Sequence, residues 1–215
     1  MLVFAGALSG CGGGSSGDDA NPMEGTRETR IITSRITGNS YPLSIYVPPA
    51  SAGPRSGLPV LYMLDGESWF ETAVNIAEST HRRIIIVGIH TAGQRGRDFV
   101  PANSCTANGG GQAAYFDFIR QELFPYVEGA IGGNPGERAL FGHSHGGSFV
   151  FYALFSEAPG GKSFNAYLAS DASISCMTAT AYGWEQGYAA AFRELPARLH
   201  ISYATSGNFG PNLDY

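Results

Sequence analysis

Residues 137–157 read ERALFGHSHGGSFVFYALFSE. The first residues form a short apolar run, the glycines mark a sharp turn, and SFVFYALF continues as an apolar helix. Gly142-His143-Ser144-His145-Gly146 fits the spacing G-x-S-x-G, and Gly147 extends it. A strand before and a helix after are the context this pattern requires of a nucleophile elbow. The glycines have a physical reason. A nucleophile that stands clear of a sheet occupies a strained backbone, and flanking residues without Cβ let strand and helix close up. The N-terminus of the following helix favours developing negative charge. The alternative is an idle serine in a Gly-rich turn; the strand–turn–helix context favours Ser144 as nucleophile.

Working outward, the chain alternates strands and helices after an antiparallel start. Thr26–Thr37 and Tyr41–Val47 carry β-branched residues in alternation and predict two paired strands with Gly38-Asn39 between them. LPVLYMLDG (58–66) and RRIIIVGIH (82–90) are near-continuous apolar runs, as strands buried on both faces are. A helix is predicted over residues 68–80. Residues 92–111 read as a long irregular loop, a kind that tends to carry function. Phe116, Ile119, Leu123 and Val127 space a helix over 113–130, with Pro125 bending its later turns. FNAYLASD (164–171) and RLHISYATSG (198–207) predict two further strands around a helix near 182–195. This order predicts an α/β domain with a mostly parallel sheet and helices on both faces. Its site lies outside the carboxyl ends of the strands.

A chain of 215 residues, 43% hydrophobic and 14% charged, is one globular domain. A net charge of −5 without a Lys/Arg cluster argues against a nucleic-acid partner. The start differs from the rest. Leu8-Ser9-Gly10-Cys11 resembles a bacterial lipobox, although no Lys or Arg precedes Cys11. The expected organisation is a lipoprotein signal over 1–11 with Cys11 lipidated, a flexible Gly/Ser/Asp linker over 12–25, and the fold over 26–215. That predicts an exported, membrane-anchored protein.

An oxyanion hole needs two backbone N–H groups. One is expected from His145, directly after the nucleophile, and the other from the Gly66-Glu67 turn after the strand LPVLYML. Cys105 and Cys176 either pair or stay as two buried thiols. Both sit in loops expected at the carboxyl ends of strands, so a disulfide at the pocket rim is predicted.

LPVLYMLDGESWF, RGRDFVP, GHSHGGSFVFYALF and YLASDASI, in that order, resemble the esterase family of α/β-hydrolases over roughly residues 30–215. The stretches YMLDGESWF and RDFVP are most similar to its siderophore-esterase branch. The resemblance implies the α/β-hydrolase fold and a serine carboxylic-ester hydrolase. Its substrate would be a small ester, such as a siderophore ester, cleaved through an acyl-enzyme on Ser144 with no metal or organic cofactor. The other class open to the chain is a catalytically dead lipoprotein of this fold that binds a ligand.

The family order is Ser, then an acid, then His. Asp214 is the one side-chain carboxylate after RLHISYAT and is the candidate acid, with Asp171 as an alternative acid or a loop cap. None of the five histidines fits the base. His143 and His145 flank the nucleophile and point away from its hydroxyl, to line the pocket or pack. His90, at the end of a buried strand, is a substrate contact, and His200 is expected to be a packed core residue. His81 is expected to be solvated at the opposite end. Arg97 either binds an anionic or catecholate group or pairs with Asp98. The base is therefore expected beyond residue 215. The family's last strand, His loop and closing helix have no counterpart here, so the chain reads as a fragment or a pseudoenzyme.

Overall fold

The computed structural model describes residues 23–204. Cys11, the leader and Asp214 lie outside these residues. The strands are β1 (Thr26–Thr33), β2 (Ser40–Val47), β3 (Val60–Leu64), β4 (Ile85–Ile89), β5 (Arg138–His143), β6 (Ala166–Ser170) and β7 (Arg198–Ser202). The helices are α1 (Gly66–Ser79), α2 (Arg95–Phe99), α3 (Gln112–Phe118), α4 (Phe124–Ala130), α5 (His145–Phe155) and α6 (Thr178–Ala191). The strands form one seven-stranded sheet in the order β1-β2-β4-β3-β5-β6-β7. β1 and β2 join antiparallel; β4, β3, β5, β6 and β7 run parallel. This is the α/β architecture expected, with its antiparallel start.

The sheet is a core element because its central strands have no polar face to offer water. Every residue of β4 is buried, and β3 is buried but for Leu61. One face packs Tyr62, Leu64, Val87 and Leu140 against Phe118, Leu123 and Phe149 of the helices. On the other, Tyr46, Met63 and Ile86 meet Phe70, Val74 and Ala77 of α1. Beside α1, Leu61, Met63, Trp69, Ile76, Phe141 and Leu168 line an open apolar groove of about 570 Å³. α5 is apolar nearly all round, as a helix packed on several sides must be. It rests on β5 and β6 and touches α2, α3 and α6.

Several expectations are corrected. The turn between β1 and β2 spans 34–39, because Ser34 Oγ accepts the N–H groups of Ile36 and Thr37 at 3.2 and 3.0 Å and stops the strand early. The loop 92–111 contains the short helix α2. The helix predicted at 113–130 is interrupted at Ile119–Leu123 by a π turn. Pro125 follows it and has no N–H for the regular ladder, and the wider turn takes up the mismatch. Phe116, Ile119, Leu123 and Val127 are all buried, as their spacing demands. α6 lies four residues earlier than predicted, and the Tyr188 hydroxyl donates to Glu194 O to close the chain after it. His200 is exposed, not packed. β7 is an edge strand among the described residues, and its alternation turns His200 outward. His81 is exposed as expected. The predicted linker meets the fold before its end: Met23 N–H donates to Glu78 O, and Gly25 N–H to Glu78 Oε1.

Candidate active site

β5 and α5 meet at Ser144, whose backbone stands at φ 57°, ψ −118°. Few non-glycine residues adopt this conformation, and it persists only where the surroundings enforce it. The enforcement is visible. A Cβ on Gly142 would sit 2.2 Å from Gly146 O, so strand and helix touch through their backbones. Ser144 N–H donates to Ser170 O at 2.9 Å, and Ser144 O accepts from Ser148 N–H and from Ser173 N–H, each at 3.1 Å. The Ser144 hydroxyl lies 3.0 Å from the Ser173 hydroxyl.

The neighbouring strand ends the same way. Asp65 follows β3 at φ 53°, ψ 45°, and α1 begins at Gly66. A Cβ on Gly66 would lie 2.4 Å from the Gly88 carbonyl carbon, so this turn also depends on bare backbone. The two turns adjoin: a Cβ on Gly146 would be 3.2 Å from Asp65 Oδ2 and 3.4 Å from Leu64 Cβ. The first N–H groups of a helix have no intrahelical acceptor. The N-termini of α1 and α5 thus bring the N–H groups of Gly66, Glu67 and His145 to one corner. The Glu67 carboxylate is turned to the end of β4, where it accepts from Thr91 N–H at 3.2 Å and from Thr91 Oγ1 at 2.6 Å.

Arg95 locks this corner. Its Nε donates to Asp65 Oδ1 at 2.7 Å, and its Nη2 donates to Asp65 Oδ2 at 3.2 Å and to His143 O at 3.0 Å. Burial raises the Asp65 pKa, and Arg95 opposes that shift. The residue just before Ser144 is thereby tied to the β3 turn. The His145 ring is half-buried, with Nδ1 lacking a hydrogen-bond partner. Burial and the Arg95 charge pull its pKa below the ordinary value, and Asp65 pulls the other way.

The remaining candidates are placed as follows. The His143 ring packs on Trp69 at 4.9 Å between centroids. His90 follows β4, and its Nε2 lies 2.9 Å from Ser44 Oγ. The Arg97 guanidinium is engaged by Asp98, Nε to Oδ1 at 2.7 Å, and donates to the Tyr41 hydroxyl at 3.0 Å. Tyr41 donates in turn to Asp98 Oδ2 at 2.9 Å. Burial pushes the phenol up to about 12, which keeps it a donor. Of the two readings for Arg97, the pair with Asp98 is the one present. The Asp171 carboxylate accepts from Ala204 N–H at 3.3 Å, just past β7. Cys105 and Cys176 form a disulfide with Cα atoms 5.1 Å apart. Among the described residues no histidine ring is hydrogen-bonded to the Ser144 hydroxyl, and no cluster of His, Cys, Asp and Glu could hold a metal ion. No helix among them is long and apolar enough to cross a membrane.

Sequence reasoning missed Asp65, Arg95 and Ser173. Asp65-Gly66 at the end of an apolar run was a signal for a special turn. Nothing local marked Arg95 over Arg97, since its acceptors lie 30 and 48 residues away.

Comparison with known proteins converges on one group. The family model described as "Putative esterase" matches residues 34–192. Ferri-bacillibactin esterase BesA of Bacillus subtilis is 30% identical over 187 residues, 75% of this chain and 62% of that protein. The siderophore triacetylfusarinine C esterase of Aspergillus fumigatus is 32% identical over 136 residues, 56% of this chain and 46% of that protein. The chain thus spans less than two thirds of the length of these curated relatives. An IroE-like serine hydrolase from Shewanella oneidensis superposes with a TM-score of 0.76 at 24% identity, covering 88% of this chain and 67% of that one. That likeness carries the fold. With the elbow in place and more than half of the chain matched, the protein belongs to the esterase family that this model describes.

Proposed function

We propose that the protein is a serine carboxylic-ester hydrolase with Ser144 as nucleophile, acting on a siderophore ester. The observation that carries the reading is the enforced backbone of Ser144 between β5 and α5. Ser144 Oγ attacks the ester carbonyl and passes its proton to a base. The carbonyl oxygen, now negative, accepts hydrogen bonds from the His145 N–H and from the Gly66-Glu67 turn. Collapse expels the alcohol, which takes the proton back from the base. Water then attacks the acyl-enzyme by the same route and frees the acid.

None of the histidines at 81, 90, 143, 145 and 200 is hydrogen-bonded to Ser144 Oγ among the described residues, so the reading takes Asp214 as acid and names none of these rings as the base. The substrate class rests on the named activities of the relatives, each an esterase of a siderophore. Export and an acyl anchor on Cys11 belong to the same reading. The disulfide supports an oxidising compartment.

The test is hydrolysis of a catecholate trilactone and of p-nitrophenyl butyrate by the full-length gene product, beside Ser144→Ala. The wild type turns over both, and the variant loses both. Equal turnover by the variant removes Ser144 from the chemistry.

A further inference from the structure

We infer that Ser173 is a positioning residue for the nucleophile, and that the Cys105–Cys176 disulfide holds it there; this rests on the serine-esterase reading. The end of β6 and the loop after it grip Ser144 through three polar groups. Ser170 O accepts its N–H at 2.9 Å, and Ser173 N–H reaches its carbonyl at 3.1 Å. The Ser173 hydroxyl stands 3.0 Å from its Oγ. The two backbone bonds hold the strained φ and ψ. The hydroxyl pair fixes the remaining freedom, rotation of the nucleophile about its Cα–Cβ bond.

A serine hydroxyl donates one proton and accepts on two lone pairs. With Ser173 donating to Ser144 Oγ, the proton of Ser144 is left for the base and its oxygen is aimed. Ser173 is buried, so water does not readily take its place. Ser173 does not share the positive φ that marks Ser144.

The disulfide supports Ser173 from behind. Both sulfurs lie against the Ser173 carbonyl oxygen, Cys176 Sγ at 3.6 Å and Cys105 Sγ at 4.0 Å. A disulfide has no S–H to donate, so these are packing contacts. They wedge Ser173 between the bridge and the nucleophile. Cys105 stands in the loop after α2, the helix whose Arg95 donates to His143 O, so the bridge ties the Ser173 loop to the segment that follows α2.

The experiment is steady-state hydrolysis of p-nitrophenyl butyrate by the oxidised full-length protein, with Ser173→Ala, Ser173→Thr and Ser144→Ala alongside, and with thermal melting of each. Ser173→Ala should lower kcat roughly tenfold, the scale of one hydrogen bond, with KM and melting temperature little changed. Ser173→Thr keeps the hydroxyl and should recover most of the loss. Cys105→Ser/Cys176→Ser should lower kcat about threefold in the wild-type background and not further in Ser173→Ala, because the bridge acts through Ser173. Wild-type kcat in Ser173→Ala overturns the inference, as does a Ser173→Thr variant no better than alanine. Multiplying losses in the combined variant overturn the part assigned to the bridge. An inactive wild type, or a Ser144→Ala variant as fast as wild type, is a different failure: it removes the esterase reading itself.

Discussion

Two adjacent parallel strands, β3 and β5, end in the same device and use it differently. Each runs into a non-glycine residue at positive φ, Asp65 at 53° and Ser144 at 57°, and each then opens a helix. At Asp65 the side chain is consumed: both carboxylate oxygens are taken by Arg95. At Ser144 the backbone is consumed by Ser170, Ser173 and Ser148, and among the described residues the hydroxyl pairs with another hydroxyl. One turn is built as a fixed support and the other as a presented group. Arg95 connects them by also donating to His143 O. Strain at a turn therefore says that something is held; the partners of the side chain say whether it is structure or chemistry.

The largest effect should come from the presented side chain. Ser144→Ala should lower kcat for ester hydrolysis by about a thousandfold or more while leaving the melting temperature near wild type. Gly142→Ala attacks the same turn through its backbone. The new Cβ would meet Gly146 O at 2.2 Å, so the variant should lose both activity and stability. Together the two variants separate presentation from support, and a stable, active Gly142→Ala would break the comparison.

Arg95→Ala should come next. It leaves the Asp65 carboxylate buried and unpaired, an effect worth about 3 kcal/mol where such a pair is broken, read by urea unfolding. The pH sign is fixed by the raised Asp65 pKa. Above the folded value the charged, buried carboxylate costs stability in full. As pH falls through that value the group protonates and the cost shrinks. Arg95→Ala should therefore be most destabilised relative to wild type at neutral pH, and less so as pH falls through the raised Asp65 value. A loss independent of pH would mean that Arg95 acts by packing alone.

The smallest effect belongs to His145, whose pKa is lowered by burial and by Arg95. The neutral ring is favoured in the folded state. Its contribution is complete above the unfolded value of about 6.5 and declines as pH falls from there toward the folded value. Proton NMR should place the ring midpoint below 6.5, and His145→Gln should remove that part of the acid sensitivity. A midpoint above the unfolded value would contradict the account of its surroundings.

Much of the fold was legible because it is written locally. VLYML and IIVGI have no polar alternation and so announced buried parallel strands. GHSHGG between strand and helix announced the elbow. The failures share a cause as well. α2 is five residues long with Gly96 inside it, too short to show a period. α6 is rich in small residues and has a weakly apolar face, so its ends had no firm marker. His200 reads as a core residue because its strand pattern does not say that β7 is an edge of the described sheet. Arg95, Asp65 and Ser173 act on partners far along the chain, and such pairs are set by the sheet order, not by spacing. Of the candidate site, Ser144 at its strand–helix turn was readable, while the groups that hold it were not.

Covalent trapping tests the central claim most directly. Full-length protein is incubated with a fluorophosphonate, digested, and mapped by mass spectrometry. One stoichiometric phosphonyl adduct is expected, on Ser144, with esterase activity lost in proportion to labelling and no adduct in Ser144→Ala. Ester hydrolysis that persists with Ser144 fully modified, or an adduct that maps to Ser173 in its place, would contradict it.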